Sequence, residues 1–162
     1  MARVLLVEDE ISLLLLAESV VQGLGHSTFS ASNRGQALAL LDDPDEIDLL
    51  FTDVRLPESD LGGFEVAQRA RMRKPNLKVL YTTGYTIIEG MKGMYVDGGT
   101  MLLKPYTAPE LARAVKHLLS QREDARRNTP RKGAPVRSSR GHFQGSRSRR
   151  TSVAEVAASR DE

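Results

Sequence analysis

Short apolar runs alternate with segments of helical pattern along most of this chain. Arg3–Val7, Ile47–Thr52, Leu77–Thr82 and Thr100–Leu103 are continuous apolar stretches too brief for helices, and Ser27–Ala31 is a fifth, more mixed candidate. Such runs read as strands buried on both faces. Between and after them lie Ile11–Leu24, Arg34–Leu41, Phe64–Arg73 and Thr107–Gln121, each long and apolar enough to cover a sheet. Any helix in residues 84–99 is weak, because Gly84, Gly90, Gly93, Gly98 and Gly99 fall there and each interior Gly costs about 1 kcal/mol against Ala. Five strands alternating with five helices predict an α/β fold: a doubly wound, five-stranded parallel sheet with helices on both faces. Crossovers in such a sheet are right-handed, and ligands bind beyond the carboxyl ends of the strands.

Local signals set the element ends. The first helix stops at Gly23 and Gly25. Asn33 suits an N-cap, with Ala37, Leu38, Leu40 and Leu41 as the apolar side that follows. Pro44 breaks the chain, and Gly62-Gly63 reads as a turn before a helix with Phe64, Val66, Ala67 and Ala70 on one face. Thr107 and Glu110 form a capping-box pattern before Leu111, Val115, Leu118 and Leu119.

Composition narrows the chemistry. The 162 residues include no cysteine, which excludes disulfides, thiolate catalysis and Cys-ligated metal. The longest apolar run, Leu13–Ala17, is too short to span a bilayer, and no signal peptide is read at the N-terminus, so a cytoplasmic location is expected. Residues 1–120 hold 12 Lys and Arg against 16 Asp and Glu, a net of −4, whereas residues 121–162 hold 11 against 5, a net of +6. Residues 122–152 contain no Trp, Leu or Ile and a single aromatic residue, Phe143. Such a segment buries too little apolar surface to offset the entropy of ordering, so 122–162 is expected to be a disordered basic Arg/Ser-rich tail. Val153–Ala158 is too short for a stable helix of its own.

The strand ends carry the reactive groups. Glu8, Asp9 and Glu10 follow the first strand, Asp53 the third, Thr83 and Gly84 the fourth, and Lys104-Pro105 the fifth. In a parallel sheet these share one rim. Crowded carboxylates repel by roughly 4 kcal/mol for two unit charges about 4 Å apart at an effective dielectric of 20, and a hard cation such as Mg²⁺ with oxygen ligands relieves that. Carboxylates, a divalent cation, a lysine and a hydroxyl are the parts needed for phosphoryl transfer to an aspartate. Each has an ordinary reading alone: acids in a first helical turn, a turn aspartate, a strand-end threonine, a solvated lysine. Their shared register argues against four coincidences. His26, His117 and His142 show no metal-ligand spacing.

With these residues in order, residues 2–121 resemble the CheY-like receiver domain of two-component response regulators. The resemblance rests on Glu8-Asp9, on Asp53 within Asp53-Val54-Arg55-Leu56-Pro57, on Thr83 and on Lys104-Pro105. Tyr81-Thr82-Thr83-Gly84-Tyr85 also resembles the Phe-Ala-Thr-Gly-Tyr signature of a subgroup common in alphaproteobacteria. The resemblance implies a flavodoxin-like strand order 2-1-3-4-5, a receiver domain at 1–121 and the tail at 122–162. It implies that Asp53 is the phosphoacceptor in phosphorelay signalling, that Glu8, Asp9, Asp53 and the backbone carbonyl of Arg55 hold Mg²⁺, and that Thr83 and Lys104 bind the phosphoryl group. A cis Lys104–Pro105 bond is implied as well. The expected donor is a sensor histidine kinase or histidine phosphotransfer protein, and the expected output is contact with a downstream protein target. Such a chain is a phosphoacceptor, not an enzyme in the ordinary sense, and loses phosphate slowly to water.

Three departures stand out. Met101 occupies the place of a usual aromatic residue, leaving Tyr85 or Tyr106 as substitutes; Gly84 replaces a common alanine; and Pro57–Gly63 is about two residues longer than usual. Alternative readings are a receiver fold kept as a phosphorylation-independent interaction module, or nucleic-acid binding through the basic tail. A phosphohydrolase is disfavoured, because Arg55 stands where such enzymes carry a second acid.

Overall fold

The computed structural model describes residues 1–42, 47–84 and 93–127, with side chains as far as Gln121. Pro44, Tyr85, Gly90, His142, Phe143, Val153–Ala158 and the expected disorder of the tail lie outside the described residues.

Five strands, β1 (Arg3–Val7), β2 (Ser27–Ala31), β3 (Leu49–Asp53), β4 (Lys78–Thr83) and β5 (Thr100–Leu103), form one parallel sheet in the order β2-β1-β3-β4-β5. This is the expected flavodoxin-like order. β3 begins two positions later than expected, because Asp48 instead meets Arg3: its N–H donates to the Arg3 carbonyl at 2.8 Å and its carboxylate accepts from the Arg3 N–H at 2.9 Å. Asp53 itself belongs to the ladder, opposite Thr82.

Four helices are present among the described residues: α1 (Ile11–Gly23), α2 (Arg34–Asp42), α3 (Gly62–Arg73) and α4 (Ala108–Arg127). Successive strand side chains point to opposite faces, and the core divides accordingly. Leu5, Val7, Leu50, Val79 and Tyr81 pack with Ala37 and Leu41 of α2 and with Phe64, Ala67 and Ala70 of α3. Val4, Leu6, Leu49, Phe51 and Leu80 pack with Ala17 and Val21 of α1 and with Leu111, Val115 and Leu118 of α4. Helices therefore cover both faces.

The caps follow the sequence. Asn33 Oδ1 accepts from the Gln36 N–H at 2.9 Å. Gly25, at φ 81°, carries the chain out of α1 through a conformation that side chains resist. At α4, Glu110 Oε2 accepts from both the N–H and the hydroxyl of Thr107 at 2.8 Å. α4 continues past Gln121, its expected end, to Arg127, since no Gly or Pro interrupts 121–127. Of the residues 84–99, where any helix is expected to be weak, 85–92 lie outside the described residues, and Gly93 and Met94 have 3₁₀ geometry. No helix of the described residues is long and apolar enough to cross a membrane.

Candidate phosphoryl-acceptor site

Because every strand runs the same way, the ends of β1, β3, β4 and β5 meet at one rim. The ladder continues just past the strands and fixes the residues there. Glu8 N–H donates to Ala31 O at 3.0 Å, Val54 N–H to Thr82 O at 2.9 Å and Lys104 N–H to Thr83 O at 2.8 Å. The Lys104–Pro105 bond is cis, as expected.

Lys104 reaches back across the sheet edge. Its Nζ donates to Asp53 Oδ2 at 2.5 Å and forms an ion pair with Glu8 Oε2 at 2.8 Å. Glu8 is 1% exposed and Asp53 9%. Burial pushes the Glu8 carboxyl above its ordinary range, and the nearby Asp53 charge adds to this, so the lowering effect of Lys104 is outweighed. Burial pushes Lys104 down, but hydrogen bonding and charge attraction from Asp53 and Glu8 hold it above its ordinary value. Asp53 Oδ1 accepts from the Arg55 N–H at 3.1 Å, which orients the carboxylate over the following turn.

Glu8, Asp9 and Asp53 bring carboxylate oxygens within 4.8 Å of one another. Two are buried and Asp9 is exposed, an all-oxygen donor set that fits a hard divalent cation with solvent on its open side. Thr83, buried at the end of β4, lines the same cleft of about 740 Å³ as Glu8, Asp9, Asp53, Arg55 and Lys104. Every site residue expected from the sequence is thus gathered in one place.

The cleft also has a wall that the sequence reading did not assign. Glu58, Ser59 and Asp60 line it. Leu56 and Ser59 exchange both backbone hydrogen bonds at 3.0 Å, closing a tight turn that turns this loop toward the rim. The signal available in the sequence was the added length of Pro57–Gly63. Gly62-Gly63, read as a turn, is instead the first turn of α3.

The sequence profile for the response regulator receiver domain matches residues 4–116. The chain belongs to the response regulator receiver family. This receiver is 29% identical over 118 residues to sporulation initiation phosphotransferase F of Bacillus subtilis, covering 72% of this chain and 93% of that one. It is 30% identical over 122 residues to the alginate biosynthesis transcriptional regulatory protein AlgB of Pseudomonas aeruginosa, of whose length it spans 26%. Among solved structures, a response regulator receiver protein from Sinorhizobium medicae superposes with a TM-score of 0.69 at 31% identity, covering 75% of this chain and 96% of that one.

The receiver's aromatic residues are distributed unusually. Met101 of β5 stands in register with Tyr81 of β4, and the Tyr81 ring fills the space beside Phe64 and Tyr95, with centroids 5.0 and 5.4 Å away. Met101 packs against the same core cluster that contains Tyr81 and Phe64. Tyr106 packs edge-on against Phe51 at 6.4 Å, on the opposite face of the sheet from Met101. Burial, then the charges of Glu8, Asp53 and Glu10, raise its hydroxyl pKa.

Proposed function

We propose that this receiver is a phosphorylation-controlled protein-interaction switch with Asp53 as its phosphoacceptor. The observation that carries the reading is the placement of Lys104 Nζ within 2.5 Å of Asp53 and 2.8 Å of Glu8, beside the Glu8, Asp9 and Asp53 oxygens. In the proposed reaction an Asp53 carboxylate oxygen attacks the phosphorus of a phosphohistidine. A P–O bond forms, the P–N bond breaks, and the imidazole leaves with a proton from solvent. Glu8, Asp9, Asp53 and the Arg55 carbonyl would hold Mg²⁺, which when bound neutralises phosphoryl oxygens and the carboxylates around them. Lys104 then exchanges part of its contact with Asp53 for a phosphoryl oxygen, and the Thr83 hydroxyl donates to another.

A sensor histidine kinase or a histidine phosphotransfer protein is the proposed donor, in the cytoplasm. Beside Glu10, Ile11 is 72% exposed and Leu15, one turn on, 58% exposed; these offer an apolar contact for such a partner. The phosphorylated surface then binds a downstream protein target. Residues 1–121 are the proposed receiver unit and 122–162 the basic extension, with α4 running across that division.

Intact mass spectrometry after incubation with acetyl phosphate and Mg²⁺ tests the reading on the native chain and on Asp53→Asn. One phosphoryl adduct that requires Mg²⁺ and is missing from the variant is expected. An adduct that persists in Asp53→Asn would refute the assignment.

A further inference from the structure

The peptide bearing Asp53 is gripped from two sides by groups that the proposed chemistry does not use. On one side, the fully buried Thr52 hydroxyl donates to the Asp53 carbonyl oxygen at 2.9 Å. On the other stands the bare Cα of Gly63, in the first turn of α3. A methyl group on Gly63 would lie 2.0 Å from the Asp53 carbonyl oxygen, 2.8 Å from its carbon and 2.9 Å from Val54 Cα. All three are backbone atoms, so no side-chain tip can swing aside to admit it. Gly63 N–H also donates to Val54 O, and Val54 N–H to Thr82 O, both at 2.9 Å. The Thr52 hydroxyl, the close approach of Gly63 and the Val54 N–H bond hold the peptide joining Asp53 to Val54 against rotation, and the Gly63 N–H bond to Val54 O holds the next peptide.

The carboxylate depends on that peptide. Asp53 Oδ1 is held by the Arg55 N–H, two residues along the same backbone, and Oδ2 by Lys104. Turning the 53–54 peptide would displace residue 55 and swing the carboxylate away from the amine. We infer that Thr52 and Gly63 are positioning residues for Asp53: the hydroxyl and the missing side chain hold the peptide so that the carboxylate stands at Lys104. The inference rests on the reading of Asp53 as phosphoacceptor. Gly62 supplies a contrast, because the three atoms nearest a methyl group there would be Cβ, Cδ1 and Cγ of Leu56, at 3.0–3.3 Å, a tight contact with a side chain and not with the Asp53 peptide oxygen.

Thr52→Val, Thr52→Ser, Gly63→Ala and Gly62→Ala test it through two readouts. The first is the initial rate of adduct formation from acetyl phosphate at saturating Mg²⁺, measured well below each variant's unfolding midpoint. Displacements of about 1 Å can cost as much as about a hundredfold, so Thr52→Val and Gly63→Ala are expected to slow the reaction by about tenfold or more, with Thr52→Ser and Gly62→Ala within about twofold of native. Rescue by Thr52→Ser separates positioning from general loss of stability. The second readout is the crystal structure of each variant, in which the Lys104 Nζ–Asp53 Oδ2 separation should lengthen from 2.5 Å in the two slow variants alone.

A native rate in folded Thr52→Val or Gly63→Ala, with that separation unchanged, overturns the inference for that residue. If Gly63→Ala does not fold, the Thr52→Val and Thr52→Ser pair decides. If the native chain forms no adduct, the phosphoacceptor reading fails instead, and the crystal structures alone decide whether the grip places the carboxylate.

Discussion

The carboxylates of Glu8 and Asp53, carried at the ends of adjacent strands, share one amine: Lys104 Nζ stands 2.8 Å from the first and 2.5 Å from the second. Lys104→Met removes that cation and leaves the two acids facing each other. We expect a loss of roughly 1–3 kcal/mol at neutral pH, because a buried charge stripped of its partner keeps its desolvation penalty. Urea unfolding of the metal-free protein measures this. The loss should shrink as acid protonates Glu8, and an unchanged urea midpoint at neutral pH would show that solvent already screens the pair.

Glu8 gives a second prediction with the opposite sign from a typical paired acid. Its carboxyl is held above the ordinary value of 4.5, with burial as the leading cause. Between the unfolded and folded pKa values the native state binds more protons than the unfolded one, so stability falls as pH rises through that window. Below 4.5 both states are protonated, so the stability is fully present and no longer changes with pH. Glu8→Gln should therefore flatten the decline that native protein shows on raising pH from acid toward neutrality. Thermal unfolding across that range without divalent ions checks it, and a steeper decline in the variant would reverse the assignment.

Fold and chemistry should separate at α2. Asn33→Ala removes the side-chain oxygen that caps the Gln36 N–H at 2.9 Å, at an expected cost of about 1 kcal/mol. Equilibrium unfolding should register it, whereas the rate of labelling by acetyl phosphate should not change.

Partner recognition should separate from chemistry at α1. Ile11→Asp or Leu15→Asp places a charge in an exposed apolar contact next to the acidic rim. Transfer from a phosphohistidine protein that labels the native chain should slow by about tenfold, the equivalent of 1.4 kcal/mol, while labelling by acetyl phosphate is unaffected. Equal slowing with both donors would point to damage at the site instead.

Much of this was legible in the residues themselves. Continuous apolar runs mark strands buried on both faces, and Asn33, Gly25 and Thr107 mark helix ends through groups whose hydrogen bonding or backbone freedom is local. Glu8, Asp9, Asp53, Thr83 and Lys104 could be read because a parallel sheet must bring its strand ends together. What was not legible depends on contacts between distant segments. Gly63 resembles any turn glycine until α3 is seen pressed on the Asp53 peptide. That Met101 lies in register with Tyr81 is seen only once β4 and β5 are paired. α4 runs past Gln121 to Arg127 because Arg122–Arg127 contains no residue that breaks a helix, although it also carries no apolar stripe to announce one.

The acidic cluster of Glu8, Asp9 and Asp53 has Lys104 as the amine in direct contact with two of its members. On the proposed reading, three carboxylates against one amine repel the dianion the site is built to receive, and a bound divalent ion would cancel that charge. The switch then behaves as a coincidence detector, in which neither a phosphorylated partner nor magnesium alone suffices to set it.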